Sequence, residues 1–452
     1  MLDSVFKLER HGTTVGTEVL AGLTTFMVMG YIIFVNPAIL TFAAVPPLQG
    51  QGPPFAATLA ATCVVAALMT AAMGLASNYP LAMASGMGLN AVVAFQLIGG
   101  LGLPWPAAMG VIVLEGLAIT ILVLTGFREA VMQAIPLSQK RAISVGIGLF
   151  ILFIGLYNGG IVQQGTGIPV TLGALTSPKV AVAVAGLFLT VLLLALRVRA
   201  ALLVGIVATT LLAVAVNALG GGTVWTLPGV AVLPDRVLAW PDLSTLGQGF
   251  NVEVFWRLGI VTATLTIFSI MLSDFFDTMG TVVGIGAEAG WLDREGRLPR
   301  LKRVLLVDSL GAVVGGGGSA SSATTYIESA AGVAAGGRTG LTALVVAACF
   351  ALALFFAPVA GVVPPEATAA ALVVVGYLMC ALVREIPFGD LDEGLPALLT
   401  MTLMPFTYSI TNGIGAGFVA YAFIKLVRGK GREVHPMMYA AAAAFVLYFV
   451  LH

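Results

Sequence analysis

Apolar residues in this chain come in long blocks, not in alternation. Blocks of membrane-spanning character fall at roughly 18–40, 55–77, 80–97, 106–124, 140–157, 180–196, 200–219, 258–285, 303–315, 318–335, 341–362, 367–382, 395–410 and 414–427. The pattern predicts fourteen helical segments, several of them shorter than the ~20 residues of a simple crossing. A final apolar stretch, Pro436–Leu451, either crosses once more or lies along the membrane surface. The opening MLDSVFKLERHG is polar, and the apolar run behind it is long enough to span, so no cleavable signal peptide is expected.

Two blocks break the pattern. Residues 79–90 (YPLAMASGMGLN) and 315–328 (GGGGSASSATTYIE) sit at membrane depth yet are rich in small and polar residues. They occupy matching places in the two halves: Asn90 lies 72 residues after Glu18, and Glu328 lies 70 after Leu258. Seven segments per half is an odd number, so the second half runs inverted relative to the first. Paired Gly- or Pro-interrupted segments point to the binding site of a transporter. Small residues also serve close helix packing in membranes, and the Gly315–Gly318 run by itself fits either role.

Composition fixes the solvent. Of 452 residues 59% are hydrophobic and 9% charged, against roughly 25% charged in a soluble domain. So few charges cannot cover a water-exposed surface, and lipid takes that place. A net charge of zero argues against nucleic acid as a partner. Cys63, Cys349 and Cys380 lie in apolar stretches and read as small core residues, not as a disulfide or metal set. His11, His435 and His452 lie near the termini, which argues against a catalytic or metal-binding histidine inside the membrane. No cofactor is implied.

Charge placement tests the segment count. With the N-terminus inside, the cytoplasmic connections hold 18 of the 21 Lys and Arg residues, and only Lys179, Arg236 and Arg257 fall outside. Basic residues are retained on the cytoplasmic side during insertion, and an error of one segment would scramble this asymmetry. The longest external connection, Gly220–Arg257, carries Trp225, Trp240 and Trp256, which suits the membrane interface.

Acids at membrane depth carry the chemistry. They are Glu115, Asp274, Asp277, Asp308 and Glu328, with Glu18 and Glu288 nearer the ends of segments. An Asp near the bilayer centre costs roughly 2.5–3.5 kcal/mol, so such groups line a polar cavity or pair with something. The i, i+3 spacing puts Asp274 and Asp277 on one helix face, flanked by Thr278 and Thr281. No basic residue lies in the interior of any segment to neutralise them, which favours a proton or another cation as partner. Plain helix–helix hydrogen bonding is the alternative. Glu115 and Asp308, lone acids in apolar segments, fit either an interhelix contact or a gating role. Glu18 fits a favourable acid at the start of a helix.

Glu328 follows one break, and Asn90 sits at the matching point of the other. A carboxylate accepts hydrogen bonds, an amide does both, and backbone freed in the breaks adds donors. Such a set suits a small, neutral, planar solute with several N–H and C=O groups. An anion would meet carboxylates with no Arg to compensate.

At these residues the sequence resembles the azaguanine-type purine permeases, a branch of the nucleobase–cation symporter (nucleobase–ascorbate transporter) superfamily. The matching motifs are GTTVGTEVLAGLTT (12–25), YIIFVNP (31–37), GMGLN (86–90), DFFDTMGT (274–281) and TTYIESAAGV (324–333). The resemblance implies an all-α polytopic fold of two inverted seven-span repeats, with short strands and half-helices in segments three and ten. Residues 1–124 and 258–362 would form a core domain; 125–257 and 363–452 would form a gate domain. The base would bind between them, against Asn90, against Asp274 or Asp277, and against Glu328 with the backbone near Tyr326 and Ile327. The sister uracil and xanthine branches have one acid in the matching part of segment eight, and the xanthine branch has a Gln-Asn motif in segment ten that is missing here. Adenine, guanine and hypoxanthine are therefore the expected substrates, with the choice among them open.

The resemblance further implies a transporter and not an enzyme, working by proton symport with alternating access. Asp274, Asp277 and Glu328 would carry the coupling, with sodium as the alternative ion. The expected setting is the plasma membrane, multi-pass, with a cytoplasmic N-terminus and room for a homodimer through the gate domain. An anion exchanger on the same fold would want a basic residue near the break of segment ten, and none stands between Val304 and Gly337. A passive channel is a further alternative. A membrane enzyme would need a nucleophile–base set or metal motif, and none accompanies the carboxylates.

Overall fold

The computed structural model describes residues 5–125, 134–165, 167–227, 229–292 and 298–451. Arg128, Arg294, Arg297, His452 and the side chain of Glu288 lie outside the described residues. The first half runs α1 (Val15–Met29), α2 (Ile32–Leu40), α3 (Phe55–Ser77), β1 (Met83–Ser85) and α4 (Met87–Ala91), which continues as a π-helix to Gly100. Then come α5 (Trp105–Thr125), α6 (Leu137–Asn158), a small ribbon of β2 (Val162–Gln163) and β3 (Thr171–Leu172), α7 (Pro178–Ala195) and α8 (Ala201–Leu219). The second half runs α9 (Val254–Glu288), α10 (Leu301–Gly317), β4 (Ala323–Thr325), α11 (Ser329–Ala334), α12 (Gly340–Ala353) and α13 (Ala357–Gly361). It ends with α14 (Pro365–Met379), α15 (Leu391–Thr407), α16 (Ile410–Val427) and α17 (Pro436–Leu451).

Ten helical stretches among the described residues are long and apolar enough to cross a membrane. The other four predicted blocks hold shorter elements. Two are the broken runs, β1–α4 and β4–α11. The other two are α10 and α15, at 17 residues each; α10 carries Lys302 and Arg303 in its first turn, and α15 carries Asp392, Glu393, Pro396 and Pro405. The 16-residue α17 is apolar but short of a full crossing.

Extended chain inside a membrane must find partners for its own N–H and C=O groups. The two broken runs supply each other. Strands β1 and β4 pair antiparallel, with Met83 opposite Thr325, Ala84 opposite Thr324 and Ser85 opposite Ala323. On the outer edge Thr70 Oγ1 donates to Met83 O (2.8 Å), and Met83 N donates to Thr70 Oγ1 (2.9 Å).

Helix packing falls into two sets. In one, α3 and α1 lie against α12, and α5 lies against α10 and α9. In the other, α6 lies against α14 and α15, α15 against α16, and α7 against α8 and α14. Lipid tails are as apolar as leucine, so helices associate by close approach over small residues. A Cβ on Gly22 would come 2.6 Å from Val345 Cβ, and one on Gly74 would come 2.6 Å from Gly340 O.

The structure sharpens three expectations. Glu18 is an acid in the first turn of α1, and from there it also serves α12: it accepts from Arg338 N (2.9 Å), Thr339 Oγ1 (2.9 Å) and Thr342 Oγ1 (2.6 Å). Trp240 and Trp256 are exposed, whereas Trp225 is buried and donates Nε1 to Glu366 Oε2 (3.0 Å). The Gly315–Gly318 run belongs to the end of α10 and its cap and works as packing. A Cβ on Gly315 would come 2.8 Å from Ala323 N of β4, and one on Gly316 would come 2.9 Å from Met109 O of α5. The chain breaks beyond it, where Ser319 (φ 65°) and Ser321 (φ 68°) adopt left-handed conformations that few L-residues occupy.

Candidate functional site

A cavity of about 510 Å³ opens between the two helix sets, within the usual range for a small-molecule site. Its polar wall comes from the first set. Thr324 and Thr325 of β4 run into Tyr326, Ile327 and Glu328, and Asp277 of α9 stands beside them with Gly280 and Thr281 one turn on. Gly86, Met87 and Gly88 bring the start of α4 to the same wall. N–H groups in a helix's first turn have no intrahelical partner, so they remain available to a ligand. The opposite wall is apolar and comes from the end of α14 and the turn after it: Val375, Leu378, Met379, Ala381 and Leu382. Ser144 of α6 completes that side.

Several contacts hold this wall in place. Tyr31, between α1 and α2, donates its hydroxyl to Glu328 Oε1 (2.6 Å). Tyr326 N donates to Ala82 O (2.9 Å) and Gly86 N to Ser322 O (2.8 Å), which extends the strand pairing at both ends. Tyr326 Oη donates to Ser85 O (2.5 Å). Asn36 Nδ2 reaches Thr62 Oγ1 (2.8 Å), Ser85 Oγ (3.2 Å) and Ala320 O (3.2 Å), tying both breaks to α2 and α3. The N–H groups of Ile327 and Glu328 are not used in the strand pairing.

Of the residues singled out in the sequence, Asp277, Tyr326, Ile327 and Glu328 line the cavity. Asp274 and Asn90 do not. Three residues of α-helix turn through about 300°, so Asp274 and Asp277 share a face but differ in depth and direction. Asp274 Oδ2 accepts from Ser322 Oγ (2.8 Å) behind β4. Asn90 is one turn into α4, fully buried, and neither of its amide atoms has a hydrogen-bond partner. Glu115 and Asp308 lie near Asp274, so they are not isolated acids.

Sequence reasoning missed Tyr31, Asn36, Gly86 and the whole apolar wall. Tyr31 and Asn36 stood in the YIIFVNP motif as polar groups at membrane depth, which is the signal that could have found them. The apolar wall carries no such signal, because leucine facing a cavity reads like leucine facing lipid. Lys140 is in the first turn of α6, with its ammonium 5.6 Å from the ring centre of the cavity-lining Phe276.

A second cavity of about 380 Å³ is lined by Phe95, Phe153, Tyr157 and Tyr408, with Asn158 and Gln164 but no carboxylate. In its wall the Tyr408 ring packs edge-on to Phe95, Phe150 and Phe153 at 5.6–5.9 Å.

The chain is 40% identical over 450 residues to the adenine permease AdeP of Escherichia coli (strain K12), covering 100% of this chain and 96% of that protein. It is 39% identical to the guanine/hypoxanthine permease PbuG of Bacillus subtilis (strain 168), over 99% of each. Among solved structures, the transmembrane domain of a cyanobacterium bicarbonate transporter, BicA, is similar with a TM-score of 0.60. That likeness covers 89% of this chain and 96% of that one at 15% identity, and it concerns the fold alone. The Permease family model Xan_ur_permease matches residues 16–450. With relatives of this identity over 96–99% of their length, and with ten membrane-length apolar helices among the described residues, the chain belongs to that permease family and is a multi-pass membrane protein.

Proposed function

We propose that this protein imports purine nucleobases, namely adenine, guanine or hypoxanthine, by proton symport with alternating access. The observation that carries the reading is the polar wall at Glu328 and Asp277, set opposite an apolar wall that suits the faces of a flat ring. The two carboxylates match N–H donors of a base, and the first-turn N–H groups of α4 match its acceptors. Relatives named as adenine and guanine/hypoxanthine permeases support the same substrate class. Two carboxylates and no Lys or Arg on the lining disfavour an anion, despite the fold shared with a bicarbonate transporter. Asn90 and Asp274 support the site from behind instead of touching the base.

In this reading the chain crosses fourteen times in two inverted halves, a symmetry supported by the antiparallel pairing of matching breaks. The set built on α1–α5 and α9–α12 is the core, and the set built on α6–α8 and α14–α17 is the gate. The cavity opens where α6 begins and α14 ends, at the end that gathers Arg141, Lys425, Arg428 and Lys430. The charge rule puts that end in the cytoplasm, with the N-terminus, so the conformation is inward-facing. In the cycle, a proton and a neutral purine load from outside, the core shifts against the gate, and both leave inside. One net charge per cycle draws about 2.3 kcal/mol per 100 mV from the membrane potential, enough for roughly forty- to fiftyfold accumulation.

Purified protein in liposomes will take up radiolabelled adenine, guanine or hypoxanthine faster under an inward proton gradient. Glu328→Gln will abolish that uptake while the protein still inserts and folds. Wild-type transport by Glu328→Gln would remove Glu328 from the site, and indifference to proton and sodium gradients would sink the coupling.

A further inference from the structure

Behind β4, on the side away from the cavity, α5, α9 and α10 bring three acids together. Glu115, Asp274 and Asp308 are 0%, 1% and 5% exposed. Asp308 is satisfied on both oxygens: Oδ1 accepts from Thr325 N (2.8 Å) and Thr325 Oγ1 (2.7 Å), and Oδ2 accepts from Thr278 Oγ1 (2.6 Å). Asp274 Oδ2 has Ser322 Oγ. Asp274 Oδ1 and both oxygens of Glu115 lack a partner in hydrogen-bond geometry, although the two carboxyls face each other closely enough to interact and the Ser322 hydroxyl that bonds Asp274 is also near Glu115. The other titratable groups around the pair are Asp308 and Asp277, both acids. No ion pair among the described residues reaches any of the three. Nor does any group of His, Cys, Asp and Glu among the described residues have the arrangement to hold a metal ion.

Two ionised carboxylates are acceptors only, and buried without a cation they repel. One proton held between them removes a charge and supplies the missing donor. We propose that Glu115 and Asp274 form a carboxyl pair that carries the coupling proton at a site separate from the purine cavity. This rests on the transport reading above and assigns its ion. The pair and Asp308 hold both ends of β4: Asp274 binds Ser322 just before the strand, and Asp308 binds Thr325 at its end. The residues that follow, Tyr326 to Glu328, line the cavity. Proton and purine therefore pull on one short strand from opposite sides, and that is the physical link between them. Asp277 lines the cavity and also interacts with Asp274, which makes it the relay between cavity water and the pair. The proton comes from outer water and is released to inner water, with no other bond changed. Glu115 and Asp274 touch no purine and act as the proton's carriers.

The test is Glu115→Gln in proteoliposomes with radiolabelled adenine and hypoxanthine. Gradient-driven accumulation will fall about tenfold or more and its pH profile will flatten, while the detergent-measured purine Kd moves less than about threefold. Accumulation and pH profile like wild type would overturn the proposal. Should Glu115→Gln fail to fold, Glu115→Asp keeps the carboxyl and will shift the pH midpoint of accumulation; an unmoved midpoint counts against the pair. Infrared spectra of wild type and Glu115→Asp need no purine and keep the two readings distinguishable. A protonated-carboxyl band that moves in Glu115→Asp supports the pair even if no purine is transported, and its absence overturns the pair even if purine is.

Discussion

Polar side chains in this protein sort by what completes them. Glu328 has the Tyr31 hydroxyl at 2.6 Å on one oxygen, which fixes the carboxylate and leaves its other edge for a ligand. A hydrogen bond to a charged group is worth about 1.5–3 kcal/mol. Tyr31→Phe should therefore weaken purine binding by about tenfold or more with the fold intact, measured as a Kd in detergent. An unchanged Kd would mean that Glu328 is positioned by something else. The same accounting explains what the sequence could show. An acid at membrane depth advertises itself by its cost, so Asp274, Asp277, Asp308, Glu115 and Glu328 were all legible as unusual residues. Which of them faces the cavity was not, because that turns on one helical turn of depth in α9.

At the scale of elements, the breaks and the helix crossings depend on small residues for different reasons. In β1 and β4 the break is a ribbon whose backbone partners come from the other half of the chain. In α3 and α12 glycines let backbones meet: a Cβ on Gly340 would overlap the Gly74 carbonyl. Gly340→Val should lower the thermal midpoint in detergent, since forced overpacking costs about 1–3 kcal/mol or more. Gly361→Val at the end of α13, where a Cβ meets nothing within 4 Å, is the control and should leave the midpoint unchanged. A glycine-rich block in the sequence cannot announce which of these it is. The run at Gly315–Gly318 read equally as part of a binding site or as packing, and the crossing of α10 with α5 and β4 made it packing.

Across the whole molecule, the two helix sets also meet through Gln96. Its Nε2 donates to Thr411 Oγ1 (2.7 Å) and its Oε1 accepts from Ile410 N (3.0 Å). The Tyr408 ring packs edge-on to Phe95, Phe150 and Phe153. Alternating access requires these contacts to part. Cysteines at positions 96 and 411, in a background without Cys63, Cys349 and Cys380, should stop transport when bridged by a cleavable thiol reagent and recover on cleavage. Full uptake with the bridge in place would refute a motion of core against gate. At the other end, Asp392 of α15 accepts from Arg428 Nη1 (2.6 Å) and Lys430 Nζ (2.6 Å), and Glu393 accepts from Ser138 of α6. This network ties α6, α15 and α16 together within the second helix set.

What the sequence determined by itself was the solvent, the positions of the helical blocks, the two breaks and the set of costly acids. Each of those follows from composition or local pattern, because lipid penalises exposed charge and unpaired backbone residue by residue. The tertiary structure decided the rest. It set β1 against β4 and made Glu18, an acid at the start of α1, also the cap of α12. It sent Asp274 to Glu115 and Asp277 to the cavity, and it brought an apolar wall from α14 across from Glu328. Those relations join residues from 47 to more than 300 positions apart, and in a chain this uniformly apolar no local pattern encodes which helices meet.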